Sequence, residues 1–159
     1  EREFGTGFYD YIKTAKGLPF IMGSKKNRFH VVYAEDLAKA YYIAFQANLP
    51  GVNTYIVGDD VAYLMEEIYV LFCKCAGFQK PKNIPKWLSY PFAFILELLW
   101  TICKGKKPPL LTRGRINMFY DNIEYSTKKV QNELGFHCDY SLEQGIIKTV
   151  KWYKENGYL

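Results

Sequence analysis

Four cysteines, two histidines, two short basic runs and one glycine pair are the residues whose chemistry has to be tested first. Cys73, Cys75, Cys103 and Cys138 form no C-x-x-C pair. Cys73 and Cys75 lie two apart on a predicted helix and so point to different faces. Their spacing predicts reduced, mostly buried thiols. With His30 and His137 the only imidazoles, a zinc site would need unusual ligands, and no metal site is expected. The basic runs Lys25-Lys26-Asn27-Arg28 and Lys104-Gly105-Lys106-Lys107 read as solvated loops. No basic stripe interleaved with aromatics stands out, which argues against a nucleic-acid partner. A dinucleotide cradle needs G-x-G-x-x-G after a strand, so that backbone can approach a pyrophosphate at a helix N-terminus. Gly5-Thr6-Gly7 has Asp10 where the third glycine belongs, and no strand precedes it.

The elements that would position any site follow from periodicity. Phe4, Phe8, Tyr11, Ile12 and Ala15 share a helical stripe that Gly17 ends. Leu18 to Met22 and Phe29 to Tyr33 read as short strands. Glu35 and Asp36 put acid at a helix start. That helix carries Leu37, Ala40, Tyr41, Ala44 and Phe45 at i, i+3, i+4, i+7 and i+8, which predicts its buried face. Thr54 to Val57 reads as a strand. Residues 62–76 predict an amphipathic helix with Leu64, Ile68, Leu71 and Cys75 inward, ended by Gly77. Residues 110–120 carry no clear period. Ser126 is the expected N-cap of a helix over 127–134 that Gly135 stops. Ser141, with Glu143-Gln144 near the third position, predicts a capping box. The last helix then runs to about Glu155 with Leu142, Ile146, Thr149, Val150 and Tyr153 on one face.

The chain has 159 residues, 49% hydrophobic, 18% aromatic and 23% charged, with a net charge of +5. That suffices for one domain burying roughly 70% of its unfolded surface. Alternating short strands and helices argue an α/β or α+β class. The strands are few for so many helices, and so small a sheet needs partner strands. Glu1-Arg2-Glu3-Phe4 carries no targeting features and reads as the middle of something longer.

Five segments in order carry a family resemblance: FHVVYAEDLAKAYYIAF (29–45), NTYIVGDD (53–60), the helix before Gly77, STKKVQNELGF (126–136) and YSLEQGIIKTVKWYKENGYL (140–159). Together they resemble the C-terminal half of an extended short-chain dehydrogenase/reductase. The nearest groups are the NAD-dependent epimerase/dehydratases and relatives similar to dihydroflavonol reductase and 3β-hydroxysteroid dehydrogenase. The resemblance implies one substrate-binding portion over residues 1–159. It would be mostly helical with a few short strands, holding the last strands of a Rossmann sheet and lacking the nucleotide-binding βαβ units. It implies NAD or NADP in the complete enzyme, a missing N-terminal half as partner, and no catalytic or cofactor-binding residue in this chain. The substrate would be a nucleotide sugar or an apolar hydroxy or keto compound, and the setting cytoplasmic.

The family's catalytic Tyr-x-x-x-Lys places the ammonium one turn from the phenol, lowering its pKa. Tyr9 with Lys13 and Tyr125 with Lys129 match formally. The first lies too close to the VVYAEDLAKA segment and the second falls in a late surface helix, so both are expected to be chance matches. In nucleotide-sugar members, backbone of a strand like Phe20-Ile21-Met22 faces the ligand's base. An arginine near Arg28 and others in a segment like Thr112-Arg113-Gly114-Arg115 hold the diphosphate, which suits the guanidinium fork. Arg28, Arg113 and Arg115 can equally be exposed surface arginines. Asp36 is expected to stabilise a helix start.

The most apolar stretch, residues 87–103, holds Glu97 as its one formal charge. As a helix it would be roughly 25 Å long, short of a ~30 Å hydrocarbon core. The expected role is a buried or half-buried helix roofing the substrate pocket. The alternative is contact with a membrane surface, flanked by Lys86 and Lys104 to Lys107. A second function class also stays open: a non-catalytic module acting by binding or self-association as a homo-oligomer. The missing glycine fingerprint predicts that the isolated chain binds neither NAD nor NADP. Calorimetric titration checks this, and micromolar affinity would refute it.

Overall fold

The structure, a computed structural model, describes residues 20–22, 26–79, 82–103 and 112–159, without the side chains at 20–22, 115 and 118. The predicted helix over residues 4–16 lies outside the described residues. Among the described residues there are four short strands: β1 (Phe20–Met22), β2 (Arg28–Phe29), β3 (Tyr63–Leu64) and β4 (Lys82–Ile84). The described helices are α1 (Ala34–Gln46), α2 (Met65–Ala76), α3 (Lys86–Ile102), α4 (Arg113–Tyr120), α5 (Lys128–Leu134) and α6 (Leu142–Glu155).

The strands make two small ladders. β1 runs parallel to β4 with Phe20 opposite Lys82 and Met22 opposite Ile84. β2 is antiparallel to β3, with Arg28 opposite Leu64 and Phe29 opposite Tyr63, and Phe29 bridges to Ile123 on its other side. The expected strand over Phe29 to Tyr33 is therefore shorter. Beyond Phe29 the chain stays extended, with His30 N donating to the Ile123 carbonyl at 3.3 Å and Asp59 N to the Val31 carbonyl at 2.9 Å. Thr54 to Val57 is not a strand, because no described strand lies beside it. Side chains hold it instead: Lys129 Nζ reaches the Thr54 carbonyl at 3.1 Å, and Tyr55 donates to Glu133 at 2.8 Å.

The main core is α2 laid on α6. Ile68, Phe72 and Ala76 meet Ile146, Val150 and Tyr153, with Phe29, Val31 and Leu71 packed at the edges. Both helices have firm ends. Glu67 Oε2 accepts from Leu64 N at 3.1 Å, and Gly77 closes α2 in the left-handed region at φ +80°. Ser141 and Gln144 form the expected capping box of α6, with exchanged bonds of 2.9 and 3.3 Å. The N-cap of α5 is Thr127 instead of the expected Ser126, and no side-chain capping bond forms there.

A second cluster joins Ala40 of α1 to Val130 and Phe136. Here the predicted face of α1 is corrected. Asp36, Ala40 and Ile43 point inward at i, i+4 and i+7, while Tyr41 and Phe45 are 72% and 84% exposed. The helix is apolar on more than one side, and the close approach is made by the small side chain and the carboxylate. Asp36 is buried and accepts Asp139 N at 2.9 Å and Tyr140 N at 3.3 Å.

α3 is the third unit. Its buried residues are Ser89 and Ala93, which rest on Ile116 and Tyr120 of α4. The expected burial or half-burial of this helix holds at Ser89 and Ala93, while most of its large apolar side chains are exposed.

Truncation in the α2–α6 core leaves a cavity that close-packed neighbours cannot fill. Phe72→Ala is expected to destabilise the chain by about 3–5 kcal/mol, against under ~0.5 kcal/mol for exposed Tyr42→Ala. Urea unfolding of both variants checks the difference.

Candidate substrate pocket

The residues expected to touch substrate lie around α4. This helix packs against β1, whose backbone is bonded to β4. Tyr120 locks the arrangement, since its hydroxyl donates to the Ile84 carbonyl of β4 and lies 2.9 Å from Ser89 Oγ of α3. The Phe20-Ile21-Met22 strand and the Arg113/Arg115 helix are thus brought together. The side chain of Arg115 lies outside what is described.

Arg28 is held at the far end of α4. Its backbone N donates to Asn122 Oδ1 at 2.9 Å and its carbonyl accepts Ile123 N at 2.8 Å, both just past the helix. Its guanidinium donates to the Ala62 carbonyl at 2.9 Å. Arg113 starts α4, so an eight-residue helix of roughly 12 Å lies between the two arginines' anchor points.

Arg113 is already matched by an acid. Its Nε lies 2.6 Å from Glu97 Oε2, and its backbone N donates to Glu97 Oε1 at 2.7 Å. Its guanidinium also sits over the Phe94 ring, 5.0 Å from the centroid. The backbone N–H of Arg113, then its side chain, holds the Glu97 carboxyl below the usual carboxylate range. Beside this pair opens a cavity of about 420 Å³, lined by Phe94, Leu98, Trp100, Thr101, Thr112 and the ion pair itself. Its wall is mainly apolar. Glu97 was visible in the sequence as the one charge in an apolar run, but nothing there named its partner. Ser89 and Tyr120 carried no signal at all.

Neither Tyr-x-x-x-Lys match forms a catalytic pair in the described residues. Lys129 reaches the Thr54 carbonyl and sits 4.7 Å from the Tyr55 ring centroid. Tyr125 is tied through its backbone N to His30 Nδ1 at 3.1 Å. Tyr9 and Lys13 lie outside the described residues. A different cluster does join tyrosines to a lysine: Lys148 Nζ lies 2.9 and 3.0 Å from the Glu35 oxygens and 3.0 Å from Tyr140 Oη. Tyr140 donates to Glu35 at 2.7 Å and Tyr33 does so at 3.3 Å. Hydrogen bonds from Lys148 and Tyr140 push the Glu35 carboxyl down, and the same Glu35 bond pushes Lys148 up. Burial, then the Glu35 charge, pushes the Tyr33 phenol up. A phenol that must lose its proton needs the opposite shift, so the cluster clamps α1 to α6.

The described residues do not fit a dinucleotide. No glycine stands at the described strand-to-helix junctions before α1, α2 and α3. A Cβ at Gly58 would meet Thr127 and His30 at 3.5 and 3.6 Å, and one at Gly145 would meet Tyr33 at 3.4 Å, so both glycines face protein. Gly5 and Gly7 lie outside the described residues. Among the described residues no group of three potential ligands could hold a metal ion. Burial, then the Asp36 charge, pushes the Cys138 thiol up to about 12, which makes it inert.

No family model matches the chain. Curated proteins do. It is 29% identical over 149 residues to an uncharacterized protein y4nG of Sinorhizobium fredii, covering 93% of this chain and 35% of that protein. It is 24% identical to a 2-alkyl-3-oxoalkanoate reductase of Stenotrophomonas maltophilia, covering 79% of the chain and 40% of the relative. It is 26% identical to a decarboxylating sterol-4-alpha-carboxylate 3-dehydrogenase of Schizosaccharomyces pombe, covering 96% and 46%. The chain therefore spans less than half the length of these relatives. Among solved structures, gox2253 superposes with a TM-score of 0.66 at 20% identity, over 94% of this chain and 44% of that one. A UDP-glucose 4-epimerase of Bifidobacterium longum, solved with NAD+ and UDP, gives 0.59 at 16%, over 94% and 39%. The chain has the fold of part of an extended short-chain dehydrogenase/reductase. In this part of an extended dehydrogenase/reductase fold, the mostly helical make-up with few short strands is what was expected, and relatives in both comparisons bear the resemblance out.

The Glu97–Arg113 pair has a pH signature. A carboxyl depressed in the fold contributes stability that is full above its unfolded value, near 4.5, and is lost as pH falls through the folded value. The urea midpoints of wild type and Glu97→Gln should therefore differ most above about pH 4.5 and converge below it. A gap that widens in acid would refute the pair's role.

Proposed function

We propose that the chain is the substrate-binding portion of an NAD(P)-dependent oxidoreductase that acts on an apolar hydroxy or keto compound. The carrying observation is that Arg113 lines a largely apolar cavity with its Nε paired to Glu97 Oε2 and its backbone N–H bonded to Glu97 Oε1. A diphosphate needs an uncommitted guanidinium fork. Here the Arg113 charge is matched through Nε, and the Arg28 guanidinium bonds a backbone carbonyl at the far end of α4. Among the described side chains, what remains of the lining is apolar wall with Thr101 and Thr112, the make-up of a site for a largely hydrocarbon ligand. The reductase and sterol dehydrogenase relatives, by name, fit the same class.

In this reading residues 1–159 hold the substrate, and a partner half supplies the cofactor cradle, NAD or NADP. The chain's own residues contribute shape and exclusion of water; the Tyr120–Ser89–Ile84 bonds fix β4, α3 and α4 relative to one another. A cytoplasmic setting keeps the described thiols, none of them in a disulfide, reduced.

The test uses the complete protein with NADH and NADPH, offered a long-chain 3-oxo compound, a keto-sterol and UDP-glucose. Cofactor oxidation should follow the apolar ketones, and UDP should bind no better than inorganic phosphate in calorimetry. Preference for UDP-glucose, with loss of UDP binding in Arg113→Ala, would establish a nucleotide-sugar enzyme instead. No turnover of any ketone by the complete protein would favour a non-catalytic binding module.

A further inference from the structure

Arg113 is matched in charge but not in hydrogen bonds. A guanidinium carries its N–H donors in one plane, a single one on Nε and the rest on the two Nη groups. Nε is given to Glu97 Oε2, and the other Glu97 oxygen is taken by the Arg113 backbone N–H. Among the described residues neither Nη group of Arg113 has a hydrogen-bond partner. The side chain is 45% exposed, lines the cavity and is held over the Phe94 ring. Its position is therefore fixed on two sides, by an acid at Nε and a ring beneath, while the Nη edge is left for something else.

The neighbouring polar groups do not compete for that role. Thr101 spends its hydroxyl proton on the Glu97 carbonyl at 2.8 Å. The Glu97 carboxylate, while ionised, only accepts. The charged donors on the cavity wall are those of the Arg113 Nη groups, and they call for an oxygen acceptor on the ligand.

The charge of the pair decides which acceptor. Arg113 and Glu97 sum to zero. A ligand carboxylate at the Nη edge would be drawn to the arginine but opposed by the Glu97 charge across the guanidinium. It would also have to give up its water against Phe94, Leu98 and Trp100. A carbonyl oxygen loses far less hydration and accepts the same N–H bonds.

We infer that Arg113 determines specificity in this cavity: its Nη groups receive an uncharged carbonyl oxygen of the ligand, and Glu97, by cancelling the arginine's charge, excludes a carboxylate from the same place. The pair binds and orients; no bond is made or broken by it. The inference rests on the apolar-substrate reading above and narrows it to a ligand with a neutral carbonyl lodged at the start of α4.

The experiment is equilibrium dialysis of the complete protein against three probes on one frame: 4-phenylcyclohexanone, phenylcyclohexane and 4-phenylcyclohexanecarboxylate. The ketone should bind about tenfold or more tighter than the other two, the worth of a hydrogen bond to a charged group. Arg113→Met should abolish that advantage and keep the affinity for the hydrocarbon, which shows in the same measurement that the cavity is intact. Glu97→Gln should keep the ketone and raise carboxylate affinity about tenfold or more, because the arginine's charge is then unmatched. The assignment is overturned by a ketone bound no tighter than the hydrocarbon, by a ketone preference that Arg113→Met retains, by a wild-type preference for the carboxylate, or by a carboxylate affinity that Glu97→Gln leaves unchanged. If apolar ketones are nevertheless reduced, the substrate-class reading stands without it. A ketone preference lost in Arg113→Met, with no ketone reduced by the complete protein, would keep the role of Arg113 and sink the oxidoreductase reading. Binding of none of the three probes overturns both.

Discussion

The fold hangs on a carboxylate taken out of water. Asp36 is buried at the start of α1 and accepts two backbone N–H groups from residues 139 and 140. Burying an unpaired charge would be prohibitive. Here the positive end of α1 and the two N–H donors offset the lost hydration. The donors are the two residues before the capping residue Ser141, so the bonds fix where α6 begins. Glu35, its neighbour, holds Lys148 two turns into α6. Two consecutive acids thus fix both the origin and the direction of α6, and only in that direction does its apolar face reach Phe72.

This explains which parts of the chain could be read from sequence. The face and cap of α6 were legible because Ser141, Gln144 and the 146–150–153 stripe are local, and tertiary contacts agree with them. Gly77 and Gly135 ended their helices as expected, both in the left-handed region that glycine tolerates. α1 was misread because its apolar residues outnumber what one face can bury, and the choice was made by a carboxylate over a hundred residues from its donors in sequence. The strands came out short because an extended segment becomes a strand only when another lies beside it. Thr54 to Val57 has the composition of a strand, but side chains of α5 take the place of a ladder.

The candidate site divides the same way. The resemblance led to the Arg113 segment and to the 20–22 strand, and the structure puts them side by side. What it could not supply was the state of the arginine. An Arg facing a cavity and an Arg already bonded to Glu97 look alike in sequence, sixteen residues from that acid, and they select different ligands. The same holds for α3, where periodicity and hydropathy state how apolar a helix is but not what covers it.

Glu97 joins these two lessons. A single carboxylate amid sixteen uncharged or terminal positions of an apolar helix would, if turned outward, break the surface of α3. Turned inward without a partner it would be a charge facing an apolar cavity. Arg113 resolves both problems with one pair of bonds. The acid leaves the outer face, and the arginine loses its free charge. The apolar character of the cavity and that of the exposed helix are therefore not separate accidents of composition. Both follow from where one carboxylate points, and removing Arg113 would disturb the two surfaces together.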